Sequence, residues 1–282
     1  MQTTTPRFDQ SARPARRLLG VALLAVATLL LAAPAFGQCV APPSLLYAWW
    51  PMSPTNVWTT DEVIAENDAI LNNGPVPVSG LVGDAMSFDG VNEYLSVPDC
   101  DYFDLGTGDF TLLAWVRTNA ATGSVLAKRT RSGANYRGYL LQVNGGRPLL
   151  QMADPANNWQ NFPGSSLPRV DDGAWHLVAA SVDRDSTTGG RLHVDAGAPH
   201  VFNPTGRQGD LSTTSELRIG RSAAEAPFQI SQLYFDGEID EVMVVRRAMS
   251  TAEIQAIFNA GADGLCRRLA PALQLCHGPS DQ

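Results

Sequence analysis

Asp236–Ala256, DGEIDEVMVVRRAMSTAEIQA, is the stretch that decides the fold. Its first part, Gly237–Val245, is rich in β-branched and apolar residues and predicts a strand. Its second part changes period. Ser250-Thr251-Ala252-Glu253 has the capping-box spacing, and Ile254, Ile257 and Phe258 then form an apolar stripe. Asn259-Ala260-Gly261 supplies a glycine C-cap, so one short helix is expected after the last strand. The same stretch places three carboxylates, Glu238, Asp240 and Glu241, within four positions. They suit a hydrolase's catalytic cluster, a metal site or a structural role.

Upstream, the chain is a succession of short apolar segments separated by Gly-, Asn-, Asp- and Pro-rich links such as Asn144-Gly145-Gly146. Strands are expected at Leu45–Trp50, Ala85–Phe88, Tyr94–Val97, Phe110–Thr118, Ser124–Arg129, Gly138–Asn144, Pro148–Ala153, Trp175–Asp183, Arg191–Asp195 and Glu216–Gly220. In the fourth of these, Phe110, Leu112, Ala114 and Val116 share one face, and Thr111, Leu113, Trp115 and Arg117 share the other. Apolar residues on both faces predict an inner strand covered on both sides, as in a two-sheet sandwich.

The N-terminus reads as a secretory signal over residues 1–37. Arg13, Arg16 and Arg17 precede the apolar run Leu18–Leu31, and Ala33-Pro34-Ala35 and Ala35-Phe36-Gly37 offer small residues for cleavage. An uncleaved anchor is the alternative, since the run approaches bilayer length. Pro34 and the small residues favour cleavage. A lipid anchor at Cys39 is opposed by Gln38 just before it. No later segment is apolar enough to insert in a membrane. About 245 residues remain, enough for one all-β domain with a sizeable core. It is placed at 38–266, with a loosely packed tail at 267–282. The formal net charge of −8 argues against nucleic acid or anionic membrane as partner. Four cysteines, Cys39, Cys100, Cys266 and Cys276, suggest disulfides in an exported chain. Four cysteines allow three pairings, and spacing does not choose among them. No C-x-x-C unit favours zinc.

Taken in order, Tyr47-Ala48-Trp49-Trp50-Pro51, Asn67-Asp68-Ala69-Ile70-Leu71, Phe88-Asp89-Gly90 through Pro98, Gly108-Asp109-Phe110-Thr111, Asp172-Gly173-Ala174-Trp175-His176 and Gly237-Glu238-Ile239-Asp240-Glu241-Val242 resemble the LamG-like (concanavalin A-like) jelly roll of secreted bacterial proteins. The resemblance runs nearly from Cys39 to Cys266. It implies an all-β, two-sheet antiparallel jelly-roll sandwich with one short C-terminal helix. It also implies a Cys39–Cys266 disulfide, which leaves Cys100 and Cys276 as the second pair. As to function, it implies glycan or extracellular-protein recognition without catalysis. A structural or adhesive surface protein is the alternative.

Each candidate site has its own chemistry. Laminarinase-like hydrolases share the sandwich and carry Glu-x-Asp-x-x-Glu on one strand, because hydrolysis needs two carboxylates flanking the bond. Here Glu238-Ile239-Asp240 begins that motif but Met243 ends it, so an acid is missing. The shorter form fails at Val242. A divalent cation, calcium above all, is the second possibility. Asp240 shares strand parity with Val242 and Val244, which should face the core. A buried carboxylate needs a cation or several donors. The resemblance implies oxygen ligands from the N-terminal segment near Asn67 and Asp68. The competing expectation is that Asp240 accepts backbone N–H groups at a tight turn, with Glu238 and Glu241 facing solvent.

Asp89 is expected to be a turn residue. Trp159 lies among Asn157, Asn158, Gln160 and Asn161, a composition suited to sugar stacking with hydrogen bonds in a loop. A tryptophan covering the sandwich edge is the alternative. Lys128, Arg129, Arg131 and Arg137 surround Tyr136. They suit charge-assisted contacts to an acidic glycan, or equally a solvated hairpin tip. The histidines His176, His193, His200 and His277 form no ligand spacing, and there is no G-x-S-x-G, H-E-x-x-H or phosphate loop.

Overall fold

The computed structural model describes residues 1–2, 39–54, 59–60, 63–64, 67–132, 135–222 and 233–267. The chain divides into two units, Met1–Phe36 and Gly37–Gln282, and the second carries the fold. Residues 3–37 of the expected signal segment 1–37 and all of the tail beyond Arg267 lie outside the described residues.

The described residues form sixteen strands in two sheets. They are β1 (Leu46–Trp50), β2 (Thr59–Thr60), β3 (Ala69–Asn72), β4 (Val76–Ser79), β5 (Asp84–Asp89), β6 (Tyr94–Val97), β7 (Phe110–Arg117), β8 (Thr122–Ser132), β9 (Asn135–Asn144), β10 (Arg147–Asp154), β11 (Asn157–Pro163), β12 (Trp175–Val182), β13 (Gly190–Val194), β14 (His200–Phe202), β15 (Leu217–Ile219) and β16 (Asp236–Val245). Helix α1 (Thr251–Ala260) follows. Sheet 1 runs β14-β13-β12-β7-β16-β5-β4, with β1 also paired to β16. Sheet 2 runs β11-β10-β9-β8-β15-β6-β3-β2. All pairings between named strands are antiparallel.

The face alternation read from Phe110–Arg117 is borne out. Phe110, Leu112, Ala114 and Val116 enter the core between the sheets, while Leu113 and Trp115 enter a second cluster on the outer face of sheet 1. Helix α1 covers that outer face with Ile254 and Ile257. Its capping box is complete, and Gly261 follows with φ 51°. Ser250→Ala should lower stability by about 1 kcal/mol, measured by denaturant unfolding. The ends of the domain meet at a Val40–Leu265 bridge and the Cys39–Cys266 disulfide. Cys100 is also disulfide-bonded; Cys276 lies outside the described residues.

Five strands escape the sequence reading, and most stand at or near a sheet edge: β2, β3, β4, β11 and β14. Each is short or polar, with Pro77 in β4 and amides throughout β11, so the apolar pattern does not announce it. Backbone pairing with a neighbour defines them. Trp159 is therefore on edge strand β11 and not in a loop.

The second correction falls in β16. Its pairing with β7 is irregular between Asp240 and Met243, and Glu241 has φ 51°. This bulge interrupts the alternation. Ile239, Val242 and Val244 face the inter-sheet core, whereas Asp240, opposite Trp115, faces the outer cluster. Asp240 is thus buried as expected, but on the opposite side of the sheet. Glu241, expected in solvent, is only 1% exposed.

Candidate functional site

The face of sheet 2 turned away from the core carries polar and aromatic side chains; Asn161 and Ile70 are exposed and Gln151 is half-buried, while Leu140, Ala127, Arg218 and Ser96 are buried. Leu95, Leu141, Leu150 and Leu217 point into the core, so their strand neighbours point out; in β8 the pairing is irregular between Ser124 and Leu126, and Val125 and Leu126 both enter the core. Register aligns one outward row across the sheet: Asn161, Gln151, Leu140, Ala127, Arg218, Ser96 and Ile70. Gln151 donates to Asn161 Oδ1 at 2.6 Å and accepts from Arg129 Nη1 at 2.5 Å. Arg129 lies over the Trp159 ring at 5.2 Å, and Tyr136 meets that ring edge-on at 5.9 Å. Burial lowers the Arg129 guanidinium to about 10, so it stays cationic at neutral pH. Between β8 and β11, Gly138 and Ala153 present no bulk that would hold Trp159 away. A Cβ at Gly138, where φ is 109°, would lie 2.1 Å from the Lys128 carbonyl.

Several buried polar atoms on this face have no hydrogen-bond partner: Trp159 Nε1, Gln142 Oε1, Ser124 Oγ and Arg218 Nη1. Buried polar groups are ordinarily paired, so these four atoms are exceptions. Trp159 and Tyr136 are half-buried; Asn158 and Asn161 are exposed.

The basic group read as one loop cluster is split by the β8–β9 hairpin. Arg129 takes the outward face, and Arg131 stands opposite Tyr136 in register. Lys128 points the other way. Its ammonium is wholly buried and binds Asp99 and Asp104, each at 2.7 Å. Arg137 reaches Asp210 at 3.7 Å. Beside them Asp104, Thr130, Arg137, Ser212, Thr213 and Thr214 line a cleft of about 270 Å³. Gln142, Gln151 and Arg218 were not singled out from sequence. Their signal is a polar residue at an outward position of an otherwise apolar strand, as in Leu-Leu-Gln-Met.

The carboxylates of β16 are partnered differently. Glu238 forms an ion pair with Arg117. Asp240 Oδ2 accepts from the backbone of Leu81 and Val82 at 3.0 and 2.9 Å. The approach needs Gly80, whose Cβ would lie 2.7 Å from that oxygen. Glu241 Oε2 accepts from Trp49 Nε1 at 2.7 Å. Asp240 Oδ1 and Glu241 Oε1 are buried without partners. Burial raises Asp240 to about 7; burial and then the Asp240 charge raise Glu241 to about 8. Two unsatisfied carboxylate oxygens suit a hard cation, although calcium takes six to eight oxygens. Among the described residues no three His, Cys, Asp or Glu form a metal cluster. Asn67 does not join Asp240: its carbonyl accepts from Trp50 Nε1 on the inter-sheet side. Asp68 follows it towards β3 of the other sheet. The expected turn role of Asp89 holds, its Oδ1 accepting from Val91, Asn92 and Glu93.

Fold and site together define a concanavalin A-like jelly-roll sandwich with a polar, aromatic sheet face. The chain belongs to the concanavalin A-like lectin/glucanases superfamily: residues 89–255 match the Laminin_G_3 family. No curated protein matches the sequence. Among solved structures, the binding domain of Paraclostridial Mosquitocidal Protein 1 is similar at TM-score 0.56 and 12% identity, covering 72% of this chain and 52% of that one. Domain 4 of AbnA, an extracellular arabinanase from Geobacillus stearothermophilus solved with arabinotriose, is similar at TM-score 0.54 and 14% identity, covering 74% of this chain and 96% of that one. Trypanosoma rangeli sialidase, solved with sialic acid, is similar at TM-score 0.52 and 16% identity, covering 78% of this chain and 33% of that one. The chain thus spans about half of the mosquitocidal structure. At these identities the likeness is one of fold. Among the described residues no helix is long and apolar enough to cross a membrane.

Proposed function

We propose that this protein is an exported, non-catalytic binding module that holds a carbohydrate against the outer face of sheet 2. One observation carries the proposal: Trp159, Tyr136, Arg129, Gln151 and Asn161 converge on one sheet face that also holds unpartnered Trp159 Nε1 and Gln142 Oε1. Sugars present apolar ring faces for stacking and hydroxyls for such donors and acceptors. Asn158 and Asn161 flank the tryptophan at the exposed edge. Solved neighbours that are a toxin's binding domain and an arabinotriose-bound domain support the same class. Burial of Asp240 and Glu241 supports a role without catalysis, because a polymer cannot reach them.

A glycan array with the full chain tests the proposal. Binding to at least one polysaccharide is expected, weakened about tenfold or more by Trp159→Ala, since a stacking anchor contributes over a kcal/mol. Silence across neutral and acidic polysaccharides would point instead to a structural or adhesive protein. We further propose that calcium neutralises Asp240 and Glu241, supported by their two unpartnered oxygens. At bound calcium both groups are carboxylates that supply oxygen ligands.

A further inference from the structure

We propose that Arg218 and Arg221 form an anion-recognition point on the same sheet face, so that the bound glycan is an acidic one bearing carboxylate or sulfate. This rests on the carbohydrate-binding role of that face. Arg218 stands in the outward row between Ala127 and Ser96. It is 8% exposed, and Glu216 accepts from its Nε while Nη1 is buried without a partner. Arg221 follows β15 and lies over the Tyr94 ring at 4.7 Å and over Tyr234 at 5.2 Å. Its Nε is also buried and unpartnered. The Arg218 guanidinium lies 5.9 Å from the same Tyr94 ring. Two guanidiniums thus share one aromatic, and Glu216 pairs with Arg218.

Each guanidinium retains a spare N–H in a fixed planar fork. A carboxylate or sulfate satisfies those donors through charge-assisted bonds, which a neutral hydroxyl does less well. Desolvation strengthens the contact. From Gln151 to Arg218 the row crosses three strand spacings, about 14 Å. The overall formal charge of −8 disfavours indiscriminate polyanion binding, so any acidic preference must come from local contacts.

The test uses matched polymers with the full chain: polygalacturonate against its methyl ester, and dextran sulfate against dextran, by calorimetry. The first pair reads carboxylate and the second reads sulfate. In at least one pair the acidic member should bind about tenfold tighter or more. Arg221→Gln should erase that preference, and Arg221→Lys should restore only part of it, because the charge returns without the fork. Arg191→Gln, on sheet 1, should leave it unchanged. Equal binding within both pairs, sensitive to Trp159→Ala, would overturn the acidic assignment and leave the glycan proposal standing. A preference unmoved by Arg221→Gln would overturn it too. Absence of binding to any polymer would overturn both.

Discussion

Replacing Cys39 and Cys266 together by serine is expected to lower the unfolding free energy by about 5 kcal/mol. The bridge closes a loop with a sequence separation of 227, and closure entropy grows with the logarithm of loop length. Small domains have about 5–15 kcal/mol in total, so the loss is a third of the stability or more. Reductant is a poor test, because Cys100 is disulfide-bonded as well. The double variant isolates one bridge. Urea unfolding should show a lower midpoint and a somewhat steeper slope, since the unfolded chain becomes less compact. A loss below about 1 kcal/mol would mean that the unfolded chain is compact without the bridge. The backbone bonds Val40 to Gly264 and Cys266 to Val40 would then suffice to join the ends.

Stability without calcium should fall as pH rises from about 4 to 8. Asp240 and Glu241 ionise near 4 when unfolded, but near 7 and 8 when folded. An acid raised on folding stabilises fully below its unfolded value, and that contribution is lost as pH climbs to the folded value. Each group contributes a slope of up to about 1.4 kcal/mol per pH unit. Buried His193, lowered to about 4, acts oppositely, but its contribution stops changing above the unfolded value near 6.5. His176 is raised, first by its bond to Asp195 and also by Asp172, and so adds to the fall above that pH. Asp240→Asn should flatten the slope by about one group and be more stable than the parent at pH 8 in EDTA. Thermal midpoints across this range check both statements. Saturating calcium should raise the parent's midpoint most at pH 8, where the fewest protons need be displaced, and should do so less for Asp240→Asn. No calcium shift at any pH would remove the metal proposal while leaving the proton-linked slope in place.

Much of the fold is legible in residue order. Phe110–Arg117 announces a strand covered on both faces, and Ser250–Glu253 announces a capped helix, because both patterns are local. The edge strands are not legible, since β11 and β4 owe their conformation to a neighbour's backbone. At the site, Trp159 and Tyr136 stand out as aromatics among polar residues, and the structure brings them together with Arg129. Arg218 and Arg221 do not stand out. Their relation to Tyr94 depends on β15 lying beside β6, a pairing of residues far apart in sequence.

The opening stretch shows the division. Sequence alone determined that Gly237–Val245 is a strand, that Ser250 and Glu253 cap a helix, and that Met243 breaks a catalytic motif. These follow from side-chain chemistry at short range. Only the tertiary structure decided where Asp240 and Glu241 point. One bulged residue at φ 51° reverses the faces on either side of it, and no periodicity in the sequence records that reversal.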